Sequence, residues 1–115
     1  MIHSYEDIDA YKRSKKLYPH IIKLAKTFPP HCRHIRDQLC RSSNSIHANI
    51  AEGFGRSVAE FKMYLQRALG SCNETKSHID DCVQIGVVSN DEGKKLLEEY
   101  IIIGKQIYRL RENWK

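Results

Sequence analysis

The chain lacks a long apolar segment. Nowhere in its 115 residues is there an unbroken apolar run near the roughly 18 residues that a membrane-spanning helix requires. The residues after Met1 include His3, Glu6 and Asp7, whereas a secretory signal has a basic start followed by an apolar core. We therefore expect a cytoplasmic protein with no export signal and no membrane partner.

Motifs of the common enzyme classes are also missing. The sequence contains no glycine-rich phosphate loop, no paired-carboxylate site and no Ser-His-Asp set. His31, Cys32 and His34 are potential metal ligands, but no second pair is spaced to complete a tetrahedral site. We expect a protein without metal, without cofactor and without enzymatic activity.

The sequence lacks the export signal that would favour disulfides, although its four cysteines could in principle pair. The four cysteines are Cys32, Cys40, Cys72 and Cys82, and two of them lie in apolar helical patterns. Because no export signal accompanies them, reduced thiols are the expected state.

The alternation of apolar and polar residues that marks β-strands is absent as well. Apolar residues recur instead at three- and four-residue intervals, which predicts an all-α protein. The predicted helices cover residues 8–27, 34–52, 57–86 and 90–112. Because short connections make neighbouring helices antiparallel, we predict an up-down-up-down four-helix bundle in a single domain over residues 1–115.

Local signals mark the ends of these helices. Pro29 and Pro30 end the first helix, while Pro19 falls on its polar face, where a bend is expected rather than a break. Segments 57–60 (SVAE) and 89–92 (SNDE) have the form of capping boxes and open the third and fourth helices.

The positive charge is concentrated in the first part of the chain. Residues 1–67 contain twelve Lys and Arg against six Asp and Glu, whereas residues 68–115 contain seven against eight. Between Ala10 and Phe28 there are six cations and no anion. The five lysines among them fall within an arc of about 100° on a regular helix, opposite Leu17 and Ile21.

A lysine stripe is most often a solvated outer face, but such faces usually mix charges of both signs. A stripe of one sign repels itself and is tolerated best beside a polyanion. The pattern therefore predicts phosphate contacts with RNA or another nucleic acid, with little choice of sequence. The predicted contacts are Lys12, Arg13, Lys15, Lys16, Lys23, Lys26, Arg33, Arg36, Arg41 and Arg56.

The segment from Ser45 to Arg56 has the pattern S-I-x-x-N-I-A-E-G-x-G-R, and Glu60 and the run 70–74 (GSCNE) follow it. This combination resembles the small four-helix-bundle proteins first noticed in intervening sequences of bacterial 23S ribosomal RNA genes. The same family includes the accessory variability determinant of diversity-generating retroelements. The resemblance spans nearly the whole chain.

The resemblance implies a homo-oligomer, with a ring of five bundles as the arrangement associated with the family. It implies two alternative roles, as an accessory factor of a reverse transcriptase or as an intervening-sequence protein, and no catalysed reaction. Repetition of the lysine stripe around a ring would strengthen weak phosphate contacts through effective concentration.

We interpret the polar residues of the signature as structural. Asn49 lies on the apolar stripe of the second helix, where a buried amide requires a hydrogen bond, most simply to Asn73 or Glu74 of the third. Glu52 lies at a helix C-terminus, where the dipole disfavours an anion, so we expect a specific partner such as Arg56 or a backbone amide.

The small residues of the signature are also interpreted as structural. Gly53 suits the left-handed residue past the end of the second helix, and Gly55 lies in the turn that follows. Gly70, Ser71 and Gly104 are expected to let another helix approach closely.

Two alternatives to nucleic-acid binding without catalysis remain. Arg41 and His47 satisfy the R-x(4–6)-H pattern of HEPN-type ribonucleases, which are helical bundles that use the two side chains on RNA at a dimer cleft. On a regular helix the two side chains point about 120° apart, so they converge only through distortion or a partner chain. The other alternative is a protein-interaction scaffold without any nucleic acid.

Overall fold

The computed structural model describes residues 1–115 as four α-helices without strands, which confirms the predicted all-α class. The helices are α1 (Asp9–Ala25), α2 (Arg33–Gly53), α3 (Val58–Gln84) and α4 (Asn90–Asn113). Short 3₁₀ turns at Tyr5–Asp7 and Pro30–Cys32 precede α1 and α2. The helix ends differ from the predicted ranges by at most two residues.

Helices α2 and α3 are antiparallel and joined by a hydroxyl-rich seam. Ser45 Oγ accepts a hydrogen bond from Ser71 Oγ at 3.0 Å, and Ser42 Oγ accepts one from Thr75 Oγ1 at 2.9 Å. The pairs Ser45–Ser71 and Ser42–Thr75 show that α2 and α3 run in opposite directions. Each such bond between neutral groups contributes about 1 kcal/mol to stability.

The pairs α3–α4 and α1–α4 are also antiparallel. The Cys72 thiol donates to the Tyr100 carbonyl at 3.1 Å, and Gly93 of α4 lies against Val83 of α3. Two polar contacts join α1 to α4: Arg13 forms an ion pair with Glu99, and His20 bonds to Glu92, both at 2.9 Å. All three pairs are therefore antiparallel, which completes the up-down-up-down bundle.

Helix α1 runs through Pro19 as one helix, with the ring exposed to solvent. This placement agrees with the prediction that Pro19 lies on the polar face, where water satisfies the carbonyl that loses its partner. The opposite face of α1 buries Ser14, Ile21 and Ala25 in the core.

Only half of each predicted capping box forms. The hydroxyls of Ser57 and Ser89 accept bonds from the backbone amides of Glu60 and Glu92, at 3.2 and 3.1 Å. The Glu60 carboxylate accepts from the Ser57 hydroxyl instead of the Ser57 amide, and the Glu92 carboxylate bonds to His20. In neither box does the glutamate carboxylate accept from the backbone amide of the capping serine.

The close helix approaches lie at glycines other than those predicted. Gly53 is the last residue of α2 and is buried, and a methyl group there would overlap Cβ of Tyr64. The left-handed residue is Gly55, with φ 88°. Gly70 is exposed and has no neighbouring element within 4 Å of a Cβ position, while a Cβ at Gly104 would make only ordinary contacts, the nearest with Cys72 Sγ at 3.7 Å.

The two glycines Gly53 and Gly70 provide a matched test of this packing. Gly53→Ala forces the new methyl group against Tyr64 and should lower the free energy of unfolding by about 1–3 kcal/mol. Gly70→Ala adds a methyl group to an exposed helix interior and should raise it by about 0.5–1 kcal/mol. Chemical denaturation measures both, and a gain in stability from Gly53→Ala would contradict the close approach.

Candidate nucleic-acid interface

The lysine stripe of α1 is an exposed surface without counter-charges. Its members are Lys12, Lys15, Lys16, Lys23 and Lys26, all exposed to solvent. The ion pairs of the protein involve arginine and histidine side chains but no lysine. The five ammonium groups are thus fully available to an anionic partner.

Of the arginines predicted for the same surface, some form ion pairs in the structure and others do not. Arg13 bonds to Glu99 at 2.9 Å, and Arg36 bonds to its neighbour Asp37 at 3.1 Å. Arg33 and Arg41 are exposed and form no ion pair. The predicted cations without an anionic partner are Lys12, Lys15, Lys16, Lys23, Lys26, Arg33 and Arg41.

Arg56 has a structural contact at the end of α2. Its Nε donates to the backbone carbonyl of Glu52 at 3.0 Å, and its Nη1 lies 3.7 Å from Glu60 Oε2. The expected partnership of Arg56 with Glu52 therefore exists, but through the backbone oxygen rather than the carboxylate, which remains exposed. A cation at a helix C-terminus satisfies a carbonyl that has no partner within the helix.

The lysine stripe borders a groove of about 820 Å³ between α1 and α4, hereafter the α1–α4 groove. Leu17 and Leu96 are its apolar lining residues. Its charged lining consists of Asp9, Lys12, Arg13, Lys16, His20, Glu92, Lys95 and Glu99. Sequence reasoning missed Lys95, because only the register of α4 against α1 brings it beside the stripe.

Asn49 does not make the predicted bond to Asn73 or Glu74. Its amide donates within α2, to the carbonyl of Ser45 at 2.8 Å and to the Ser45 hydroxyl at 2.9 Å. The link to α3 is indirect, because the same hydroxyl accepts from Ser71. Glu74 is exposed on α3, with its carboxylate 3.7 Å from His78 Nε2.

His47 is a buried packing residue that joins α2 to α1. Its Nδ1 lies 2.9 Å from Ser14 Oγ, and the ring meets Tyr18 edge to face at 5.4 Å between centroids. Arg41 is exposed, whereas His47 is 3% exposed. The structure of this chain therefore does not bring together the two side chains that a HEPN-type ribonuclease would use.

Burial governs the titration of the groups that could do chemistry. Burial, assisted by the positive charge of Lys15, lowers the pKa of His47 to about 4. Burial raises the pKa of the Cys72 and Cys82 thiols to about 11, so both are protonated at neutral pH and poor nucleophiles.

All four cysteines are free, and no cluster of three His, Cys, Asp or Glu side chains is arranged to hold a metal ion. None of the helices is apolar over a length sufficient to cross a membrane.

Comparisons with known proteins identify a family and a similar fold. The model of a family described as 23S rRNA-intervening sequence protein matches residues 6–109. A crystal structure of a protein with unknown function from the S23 ribosomal protein family, from Bacteroides thetaiotaomicron, is similar with a TM-score of 0.83. It is 22% identical in sequence, and the match covers 90% of this chain and 99% of that one. No curated protein matches the chain.

The buried His47 predicts a loss of stability in mild acid. The pKa of His47 is about 4 in the folded protein, against 6.5 for a histidine in an unfolded chain. As pH falls below 6.5, His47 becomes protonated in the unfolded chain but stays neutral in the folded protein. By pH 4.5 this difference lowers the free energy of unfolding by about 2.5 kcal/mol. His47→Gln should remove this part of the pH dependence, measured by urea denaturation between pH 7 and pH 4.5.

His34→Gln is the control, because His34 is exposed on the same helix. It should retain the wild-type loss of stability. Equal pH dependence in the two variants would contradict the assignment to His47.

Proposed function

The chain belongs to the family of 23S rRNA-intervening sequence proteins, and we propose that it is a non-enzymatic, oligomeric protein that binds RNA through the lysine stripe of α1. One observation carries the proposal: all five lysines of the stripe are exposed and none has an anionic partner. Among the Lys and Arg side chains of α1, only Arg13 pairs with a carboxylate.

A polyanion is the partner that such a surface favours. Five unpaired ammonium groups on one helix face repel one another, and nearby phosphates offset this repulsion while releasing their counterions. Arg33 and Arg41 of α2 are also exposed, and they add two cations without an anionic partner. Phosphate contacts of this kind position a nucleic acid without reading its bases, so we expect strong salt dependence and weak sequence preference.

The biological role follows one of two routes. The protein serves either as an accessory factor of a reverse transcriptase or as a protein encoded within a ribosomal RNA intervening sequence. The genes beside the coding sequence distinguish them: a reverse transcriptase and a template repeat support the first, and flanking 23S ribosomal RNA sequence supports the second.

Exposed apolar side chains support the oligomeric part of the proposal. Ile101 and Tyr108 of α4 are 43% and 54% exposed, and both line a second groove, between α3 and α4. Gly104 and Leu69 line the same groove. The same surface supports the alternative function, a protein-interaction scaffold, in which a different protein would cover it and nucleic acid would play no part.

Charge reversal on α1 tests RNA binding. Lys16→Glu with Lys23→Glu should weaken binding to a structured RNA by about tenfold or more, because two phosphate contacts become repulsive. Both side chains are exposed, so the melting temperature should stay near that of the wild type. Filter binding at several salt concentrations, with thermal unfolding in parallel, measures the two effects.

The matched control is Lys94→Glu with Lys115→Glu, which makes the same change of charge at exposed positions outside α1. It should weaken binding much less. If both double variants bind RNA as the wild type does, or weaken equally, the lysine stripe is not the binding surface.

Light scattering tests oligomerisation. We expect a mass several times the 13.4 kDa of one chain, with five times that value for a ring of five. A stable ring buries enough surface at each interface to persist at micromolar concentration. A clean monomer under those conditions would refute the oligomer.

A further inference from the structure

Two polar contacts, Arg13–Glu99 and His20–Glu92, cross the α1–α4 groove and fix the register of the helices. Arg13 Nη1 lies 2.9 Å from Glu99 Oε1, and His20 Nε2 lies 2.9 Å from Glu92 Oε1. From the first pair to the second the chain advances two turns along α1 and goes back two turns along α4. The two pairs are therefore about 10 Å apart along the groove.

Midway between these pairs both helices present a lysine. Lys16 follows Arg13 by three residues and precedes His20 by four, and Lys95 lies between Glu92 and Glu99 in the same way. Residues three or four apart share a face of a helix, and both lysines line the α1–α4 groove. Neither forms an ion pair.

Lys16 and Lys95 form no ion pair with the carboxylates of the groove, although Glu92 and Glu99 lie three and four residues from Lys95 on α4. Glu99 and Glu92 are bonded to Arg13 and His20 across the groove. The third carboxylate, Asp9, precedes Lys16 by seven residues on α1, about 10 Å along the helix. At its middle level the groove therefore presents a lysine from each wall with no anion paired to either. Its lining contains four Lys and Arg side chains against three carboxylates, so a small positive excess remains to attract an anion.

We propose that Lys16 and Lys95 form a binding site for a phosphate group that bridges α1 and α4. A phosphate supplies enough acceptor oxygens to take hydrogen bonds from both ammonium groups, and its negative charge offsets the positive excess of the groove. The volume of about 820 Å³ is in the range of small-ligand sites, so the groove has room for the groups attached to a phosphate ester. Occupation by the backbone of a nucleic acid rests on the RNA-binding function proposed above, whereas the phosphate site itself does not.

Inorganic phosphate is the first probe, compared with chloride at equal ionic strength in thermal unfolding of the full chain. Phosphate should raise the melting temperature of the wild type by about 3 °C through binding to the folded state. Lys16→Gln and Lys95→Gln should lose this rise.

Lys94→Gln is the matched control, since Lys94 is exposed beside Lys95 on α4 but does not line the groove. It should keep the full response to phosphate. No specific rise in the wild type, or equal responses of the Lys94 and Lys95 variants, would overturn the site.

Titration with RNA identifies the source of the phosphate. If the nucleic-acid backbone occupies the site, Lys95→Gln should reduce the slope of log affinity against log salt by about 0.7–0.9, while Lys94→Gln leaves it nearer the wild-type value. Equal slopes for the two variants would exclude the backbone and assign the site to a free phosphate compound. Absence of RNA binding by the wild type would refute the proposed function, and the phosphate response would still decide the site.

Discussion

The close packing of α2 against α3 is the constraint on which the rest of the structure depends. These two helices share the most extensive contact in the bundle, and they meet at residues small enough to let the backbones approach. Gly53 leaves room for Tyr64, and the hydroxyls of Ser45 and Ser71 bond across the seam. The signature segment is thus explained by geometry, because a larger side chain at Gly53 would displace α3, and with α3 the α4 helix that packs on it.

The fixed position of α2 determines how α1 presents its lysines. The bond between buried His47 and Ser14 ties α1 to α2, and Ile21 of α1 fills the adjoining core. With this face committed to the core, the lysines on the opposite arc must face solvent. Helix α1 packs less extensively on α4 than on α2, which leaves the α1–α4 groove open beside the stripe. The orientation of α1 therefore determines both its packing in the core and the exposure of its lysines.

Periodicity was sufficient to predict the all-α class and the four helices, because burial repeats at the helical period along the chain. It also identified the exposed lysines of α1. The specific partners of polar residues were not predictable in the same way: Asn49 bonds within its own helix, and Glu92 leaves its capping box to pair with His20. Local pattern gives the face on which a residue lies, whereas these partnerships depend on the register between helices, and so does the placement of Lys95 in the groove.

Lysine-reactivity footprinting directly tests whether RNA phosphates contact the lysine stripe of α1. Brief acetylation with and without RNA, followed by mass spectrometry, reports the protection of each lysine in the native protein. If RNA phosphates contact the stripe, we expect strong protection of Lys12, Lys15, Lys16, Lys23 and Lys26, with little change at the exposed Lys115. Protection that is uniform over the surface, or absent from α1 while RNA is bound, would contradict it.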